Sequence, residues 1–465
     1  MAIAGMRLNA FELVPQAIAA GASAIVAEAE PAIADTVPVV LVPSARAALA
    51  DLAAAFHGHP SRRVPVVGIT GTDGKTSTAH LLNALLEARG LRTGWLTTVN
   101  TKVGEQVRPN AADHTTPEAP VIQGTLAEML AASVDVAILE TSSHALGLDR
   151  VRGTRFRVGV FTNLSPEHIN FHGSFEAYRE AKSRLFASLP ADGLAVLNAD
   201  DPSSAAMLAA TRAPVLTYGL GDSADVRATN IRLSPSGTSF TISVRDPGRV
   251  TLAPRHAVLS TSLVGRFNVA NWLAAYCAAT YFGATLDDLK HAIEHQGPVP
   301  GRMNLVQTGQ PFPVVVDFAH TPQALEKALD TVRSLAQGRV FLVFGLAGGR
   351  DGSSRPVMGE LAARKSDFFV ITMDDPGEED PLHIARQIAA GARAAGATEP
   401  DRFAVELDRR AAIRMALERA GTGDVVLLAG KGHENRMVVA TGKLPWNDSQ
   451  VAAEELRALG YRPRV

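Results

Sequence analysis

At 465 residues the chain is too long for a single hydrophobic core, and domains of about 100–200 residues imply two or three of them. The 45 Lys and Arg nearly cancel the 47 Asp and Glu, so no global basic field exists to hold nucleic acid or an anionic membrane, and neither is expected as a partner. One cysteine excludes a disulfide within the chain, no apolar run approaches the about 18 residues of a membrane span, and the start "MAIAGMRLNAFELVPQ" lacks the basic-then-apolar order of a secretory signal. A cytoplasmic setting is expected, with a monomer as the working state.

Short apolar strands alternate with helical patterns along most of the chain, which predicts an α/β fold built on parallel sheets. Strands are predicted at "VPVVGIT" (64–70), "VDVAILET" (134–141), "RVGVFTNL" (157–164) and "GLAVLNA" (193–199), with helices opening at Lys75 and running through "SFEAYREAKSRLFASL". Residues 226–264 have a different texture, read as a β-hairpin turning at Ser236-Gly237. Cys277 falls in the apolar helical stretch "NVANWLAAYCAATYFG" and reads as a packing residue. The segment "HQGPVPGR" (295–302) interrupts the pattern and marks a boundary. A second α/β series follows, with strands in "PVVVDFA", "RVFLVFGLA", "DFFVITMDD", "FAVEL" and "DVVLLAG", and helices in "PQALEKALDTVRSL" and "DPLHIARQIAAGARAA". The decapeptide "TMDDPGEEDP" (372–381), with five acids, stands where such a sheet places its ligands, at the carboxyl end of a strand.

The segment "VVGITGTDGKTSTAHLLNALL" reads as strand, glycine-rich turn and helix. Backbone N–H groups of Gly71 to Lys75 can cradle phosphate oxygens, the helix N-terminus adds partial positive charge, Lys75 adds a full one, and the Thr76 hydroxyl can ligate Mg²⁺. The general motif is met only in part, because Ile69 stands where its first glycine belongs. The bland alternative is a tight turn carrying a surface lysine. Glu140, at the end of "VAILE", and His168, after the next strand, are residue types that can complete Mg²⁺ coordination beside a phosphate loop, although each could equally be a cap or loop residue. Lys182, in "YREAKSRLF", reads by itself as a solvated helix lysine.

Taken together and in this order, "GITGTDGKTST", "HTTPE", "ETSSHALGLDRV", "FTNLSPEHINFHGS", "YREAKSRLF", "NADD", "GRFNVANWLAA", "PGRMNLV", "VVDFAHTP", "GGRDGSSRPVMGE", "DDPGEEDP" and "LAGKGHE" resemble the Mur ligases, most closely the branch that adds the third amino acid to UDP-N-acetylmuramoyl-dipeptide. The resemblance implies an ATP- and Mg²⁺-dependent amide-bond ligase of three domains, with a central P-loop ATPase-like parallel sheet and a C-terminal Rossmann-like sheet. The divisions expected are 1–60, 61–297 and 298–465. Its substrates would be UDP-N-acetylmuramoyl-L-alanyl-D-glutamate and a free diamino acid, joined through an acyl phosphate.

Carried onto this sequence, the resemblance places Gly71, Thr72, Asp73, Gly74, Lys75, Thr76 and Ser77 on the ATP phosphates, with Thr76 and Glu140 on one Mg²⁺ and His168 and a carbamylated Lys182 on a second. Lys75, Glu140, His168 and Lys182 form the implied catalytic set. Asn271, Arg302 and Asp317 would contact the nucleoside, and Thr115, Thr116, Ser142 and Arg150 the UDP-sugar dipeptide. Arg350, Asp374, Asp375, Pro376, Gly377, Gly430 and Glu434 would receive the incoming amino acid.

The departures matter as much. Asp73 stands for the usual asparagine, Glu167 for an aspartate, and Leu148 for a frequent glutamine, while "GMRLNAFELVPQAIAAGASAIVAE" resembles only the second half of the family's N-terminal domain. Members that add meso-diaminopimelate resemble Asp-Asn-Pro-Arg where this chain has Asp374, Asp375, Pro376 and Gly377. Losing the arginine and gaining an acid favours lysine or ornithine over a distal carboxylate, with Asp375 or a neighbouring acid reading the side-chain ammonium and Arg350 the α-carboxylate. Glu378, Glu379 and Asp380 read as an exposed turn and helix cap. A folylpolyglutamate synthase and a non-catalytic nucleotide-binding homologue are the rival readings.

Overall fold

The computed structural model describes residues 1–3, 9–31, 37–110, 114–234, 236–245, 255–349 and 352–462. An eleven-stranded sheet takes its strands from residues 66–261 and a six-stranded sheet from residues 304–429, while Ile25–Ala27 and Val39–Leu41 form a small parallel pair near the start. In the large sheet, Leu194–Asn198, Phe156–Phe161, Val66–Thr70, Val136–Glu140 and Thr93–Leu96 lie side by side and parallel.

These central strands are continuous apolar runs because both faces are covered. Val67 and Ile69 point to a core with Leu81, Leu85 and Trp272 of the helices Lys75–Ala88 and Arg266–Thr280. Val66 points to the opposite core with Leu126, Leu185 and Phe186 of the helices Ala119–Ala131 and Phe175–Ala187. Cys277 is buried in the first of these cores, as its packing role requires.

The parallel reading holds for the centre of the sheet and fails at both edges. Asn100–Val103 and Gln106–Pro109 add an antiparallel meander at one edge, which the sequence reading did not find. At the other edge the expected hairpin is present, but Ser234 pairs with Gly237, so Ser236 lies in the turn and Gly237 already in the strand. A third strand, Arg255–Thr261, extends it. Of the segment 295–302, His295 ends the helix Leu286–His295 and 296–302 carries neither helix nor strand.

The second sheet runs Asn304–Val306, Val314–Asp317, Val425–Ala429, Val340–Phe344, Phe368–Ile371 and Phe403–Val405, all parallel except the first. The strand of this sheet that comes last in the chain, Val425–Ala429, inserts between Val314–Asp317 and Val340–Phe344, and that reversal of order opens a crevice at the carboxyl ends. Asp317, Asp374 and Gly430 stand at those ends. Among the described residues no helix is long and apolar enough to cross a membrane.

Candidate active site

The strand Val66–Thr70 delivers the phosphate loop, and the helix begins at Lys75 as its sequence predicts. Gly71 sits at φ +150°, where a Cβ would lie 1.9 Å from Thr162 Oγ1, so no side chain fits. The loop is moored to the end of the next strand. Thr72 N–H donates to the Asn163 carbonyl (2.8 Å), Asp73 N–H to Asn163 Oδ1 (3.0 Å), and Thr162 Oγ1 to the Asp73 carbonyl (2.6 Å). Lys75 curls back over the loop, its Nζ donating to the carbonyls of Gly71 (3.0 Å) and Thr72 (2.7 Å).

A cavity of about 440 Å³ opens over this loop, and Gly71 to Thr76, Thr115, Glu140, Ser142, His168, Lys182, Arg302 and Glu434 all line it. A second cavity of about 220 Å³ is lined by Ser77, Asn271, Asp317, Arg302 and the Phe318 ring. Arg302 separates the two, donating to Thr76 Oγ1 at 3.3 Å while its guanidinium lies 4.8 Å over Phe318. Asp317 accepts backbone N–H groups of Met303 (2.8 Å) and Ala319 (2.9 Å), and burial pushes its carboxyl up to about 6.

Thr116 and Arg150 are not on the wall of either cavity. Thr116 Oγ1 donates to the Glu140 carbonyl at 2.7 Å and Arg150 donates to the Thr116 carbonyl at 3.1 Å, so both stand behind the wall that holds Glu140 and Ser142. The Glu140 carboxylate accepts both the N–H (3.1 Å) and the hydroxyl (2.9 Å) of Thr98.

Lys182 corrects the solvated-helix default outright. It is 1% exposed, its Nζ donates to the Gly71 carbonyl at 2.8 Å, and it lies 4.6 Å over the Tyr178 ring. Burial, reinforced by Lys75, drives its amine well below the ordinary lysine value. Sequence reasoning gave no site role to three groups here, naming Glu167 only as a departure from the family pattern. Tyr178 shares a 3.0 Å hydrogen bond with Thr72 Oγ1. Glu167 lies 3.5 Å from His168 and 3.9 Å from His320; burial works to raise it, yet His168, His320 and the two lysines hold it below the usual carboxylate range. His433, against Phe318, is held down to about 3 by burial and Arg302.

The acidic decapeptide resolves differently from its sequence reading. Lys431, fully buried, places Nζ 2.7 Å from Asp375, 2.6 Å from Glu434 and 3.6 Å from Asp374. Burial opposes its charge, but the three acids outweigh that and raise it; the carboxylates of Asp374 and Glu434, pushed up by burial, are themselves only partly relieved by Lys431. Asp375 Oδ1 also accepts the Val438 N–H (2.9 Å), and Gly377 N–H donates to the Val438 carbonyl (3.0 Å). Asp375 is therefore not an open receptor for an ammonium by itself, since an internal lysine already engages it.

Among the described residues these three acids are the group whose oxygens come within 4.8 Å of one another, but the Lys431 ammonium sits among them. Glu434 reaches the large cavity, whereas Asp374, Asp375, Pro376, Gly377 and Gly430 do not line it. Arg350 lies outside the described residues.

Glu379 is not the solvated turn residue expected. Arg355 grips it with Nη1–Oε1 at 2.6 Å and Nη2–Oε2 at 2.8 Å, the Gly349 N–H adds a bond at 3.0 Å, and Arg355 holds its carboxyl down to about 2. Asp380 does cap the following helix, accepting the Leu382 N–H at 3.0 Å, and Glu378 is exposed.

Residues 69–279 match the Mur ligase middle domain and residues 301–432 the Mur ligase glutamate ligase domain. A UDP-N-acetylmuramyl-tripeptide synthetase of Roseiflexus sp. is 43% identical, with 99% of this chain and 92% of the relative aligned. A UDP-N-acetylmuramoyl-L-alanyl-D-glutamate–2,6-diaminopimelate ligase of Geobacillus kaustophilus is 41% identical over 98% and 91%. A solved structure of a ligase of that same description is 29% identical, with a TM-score of 0.67 over 99% of this chain and 92% of that one. With relatives this similar over nearly the whole chain, and with a moored phosphate loop facing a cavity shared by two α/β sheets, the chain belongs to the Mur ligase family of ATP-dependent peptide ligases.

Proposed function

We propose that the protein joins a diamino acid, lysine or ornithine in preference to meso-diaminopimelate, to UDP-N-acetylmuramoyl-L-alanyl-D-glutamate in the cytoplasm. Residues 1–60 would meet the UDP end, 61–297 the ATP, and 298–465 the amino acid. The D-glutamyl carboxylate attacks the γ-phosphate of ATP, giving an acyl phosphate and ADP, and the incoming amine displaces phosphate. A carboxylate approaching a polyphosphate meets like-charge repulsion, so cations and positioning must supply most of the catalysis. Lys75 and Arg302 supply positive charge at the cavity.

The ATP nucleoside fits the smaller cavity, between Asn271 and Phe318, with Asp317 offering its remaining lone pairs to the ribose. Thr76, Glu140, His168 and Lys182 all line the large cavity. The hydroxyl of Thr76 and the carboxylate of Glu140 offer the oxygens a hard ion takes and would hold one Mg²⁺, while His168 with a carbamylated Lys182 would hold a second; the ions would supply charge neutralisation when bound. Lys182 fits its proposed modification: addition to CO₂ requires the neutral amine, which burial beside Lys75 favours, and releases one proton as the carbamate forms.

The observation that carries the amino-acid preference is the charge balance around Lys431. Three carboxylates, Asp374, Asp375 and Glu434, surround one ammonium, an excess of acid that favours a further cation over a further carboxylate. The diaminopimelate activity named for the relatives belongs to those proteins. Phosphate release with ATP, Mg²⁺ and UDP-N-acetylmuramoyl-L-alanyl-D-glutamate is the test, run with lysine, ornithine and meso-diaminopimelate. Faster release with lysine or ornithine is expected. Release with none of the three would sink the ligase assignment, and a preference for meso-diaminopimelate would overturn the specificity.

Asp73 puts a negative charge in a loop meant for phosphates, and Lys327, from the helix Pro322–Leu335, answers it at 3.5 Å. Lys327→Ala is expected to raise the KM for ATP by about two- to fivefold, as for a part-exposed pair, with the effect shrinking in salt. Adding Asp73→Asn should restore it, and a double variant as impaired as Lys327→Ala would show the pair to be irrelevant.

A further inference from the structure

Arg409 opens the helix Arg409–Arg419, and Asp448 opens the helix Asp448–Ala458; the two side chains are both 0% exposed. Arg409 Nε and Nη2 donate to the two Asp448 oxygens at 2.8 and 2.6 Å, and Trp446 Nε1 donates to Asp448 Oδ1 at 2.8 Å. The guanidinium does not stop there. Nη2 also donates to the Ala429 carbonyl at 2.9 Å and Nη1 to the Met373 carbonyl at 3.3 Å.

Those two carbonyls are the last before the amino-acid subsite. Met373 precedes Asp374, and Ala429 precedes Gly430 and Lys431. Ala429 ends the strand Val425–Ala429 and Met373 follows the strand Phe368–Ile371, and these strands are not neighbours, because Val340–Phe344 lies between them. No ladder hydrogen bond therefore joins the two ends directly, and the planar five-donor fork of one arginine spans them. Neither Arg409 nor Asp448 lines either cavity. A buried ion pair is a poor device for stability alone, since well-packed apolar residues often do as well, whereas it defines geometry strictly.

We infer that Arg409, held by Asp448 and Trp446, is a positioning residue for the incoming amino acid. It fixes the separation and orientation of Asp374 after one strand and of Gly430 and Lys431 after another. The inference rests on the reading of this cluster as the amino-acid subsite. Asp374 is also within the field of Arg409, so the same residue helps to keep that buried carboxyl ionised.

Arg409→Lys keeps the charge and loses the fork, while Trp446→Phe removes a single donor to Asp448. In the full-length protein, Arg409→Lys is expected to raise the KM for lysine or ornithine on the order of tenfold or more, with the KM values for ATP and the UDP-linked substrate held within about twofold. Trp446→Phe should raise the same constant by less. A cooperatively melting Arg409→Lys protein with an unchanged amino-acid KM, or with all three KM values shifted together, would overturn the inference while leaving the function intact. Should Arg409→Lys fail to fold, Trp446→Phe decides: a selective rise supports the role and no rise refutes it. A wild-type protein that turns over none of the diamino acids would remove the subsite reading, and this inference with it.

Discussion

Replacing Lys75 with alanine is expected to lower kcat by about 10²–10³-fold, the loss seen when one preorganised donor to a developing negative charge is removed. The Lys75 Nζ already stands over the loop, 3.0 and 2.7 Å from the Gly71 and Thr72 carbonyls, so it needs little reorganisation to meet a phosphate. The loop itself is moored through Asn163 and Thr162, which do not involve the lysine. The fold should therefore survive, and a melting temperature near that of the wild type is part of the expected result. Phosphate release under saturating ATP and amino acid is the measurement, and a kcat within about threefold of wild type would contradict the role.

The second large effect is a change of amino-acid preference. Asp375→Asn with Gly377→Arg removes the acid and installs a guanidinium able to pair with a distal carboxylate, an interaction of about 1.5–3 kcal/mol. A Cβ at Gly377 meets nothing within 4 Å, so the first atom of a side chain is accommodated. The backbone is the obstacle: φ is +58°, and a non-glycine residue there costs roughly 1–2 kcal/mol. Gly377→Arg alone should consequently do little. Adding Asp375→Asn removes a carboxylate from the cluster, and the pair of changes should lower the proposed preference for lysine or ornithine over meso-diaminopimelate on the order of tenfold. Competition between the amino acids in the phosphate-release assay reads this directly, and an unchanged ratio would show that the loop does not set specificity.

The phosphate loop was legible because its chemistry is local: Gly71, Lys75 and Thr76 lie within one turn, and the conformation they need is set by residues a few positions apart. The central strands were legible for a similar reason, since a run such as "VAILE" can be buried on both faces only in a covered sheet. The edge strands Asn100–Val103 and Gln106–Pro109 were not, because Lys102, Gln106 and Arg108 break the apolar pattern and pairing with a neighbour decides their state.

Charged side chains separate the two levels most sharply. Sequence by itself determined the family, the α/β class and the glycine-rich loop before Lys75, all of which depend on residue type and order. Only the tertiary structure decided which charges are exposed. An isolated lysine, arginine or glutamate defaults to solvent, and nothing local signals otherwise. Lys182 becomes buried against Gly71, 111 positions away; Lys431 reaches Asp375 across 56; Glu379 meets Arg355 across 24; and Arg409 meets Asp448 across 39. A charge can leave water only where a partner compensates the lost hydration or where the group gives up its charge, the direction in which burial drives Lys182, and the sheets and helices between these positions bring such surroundings together.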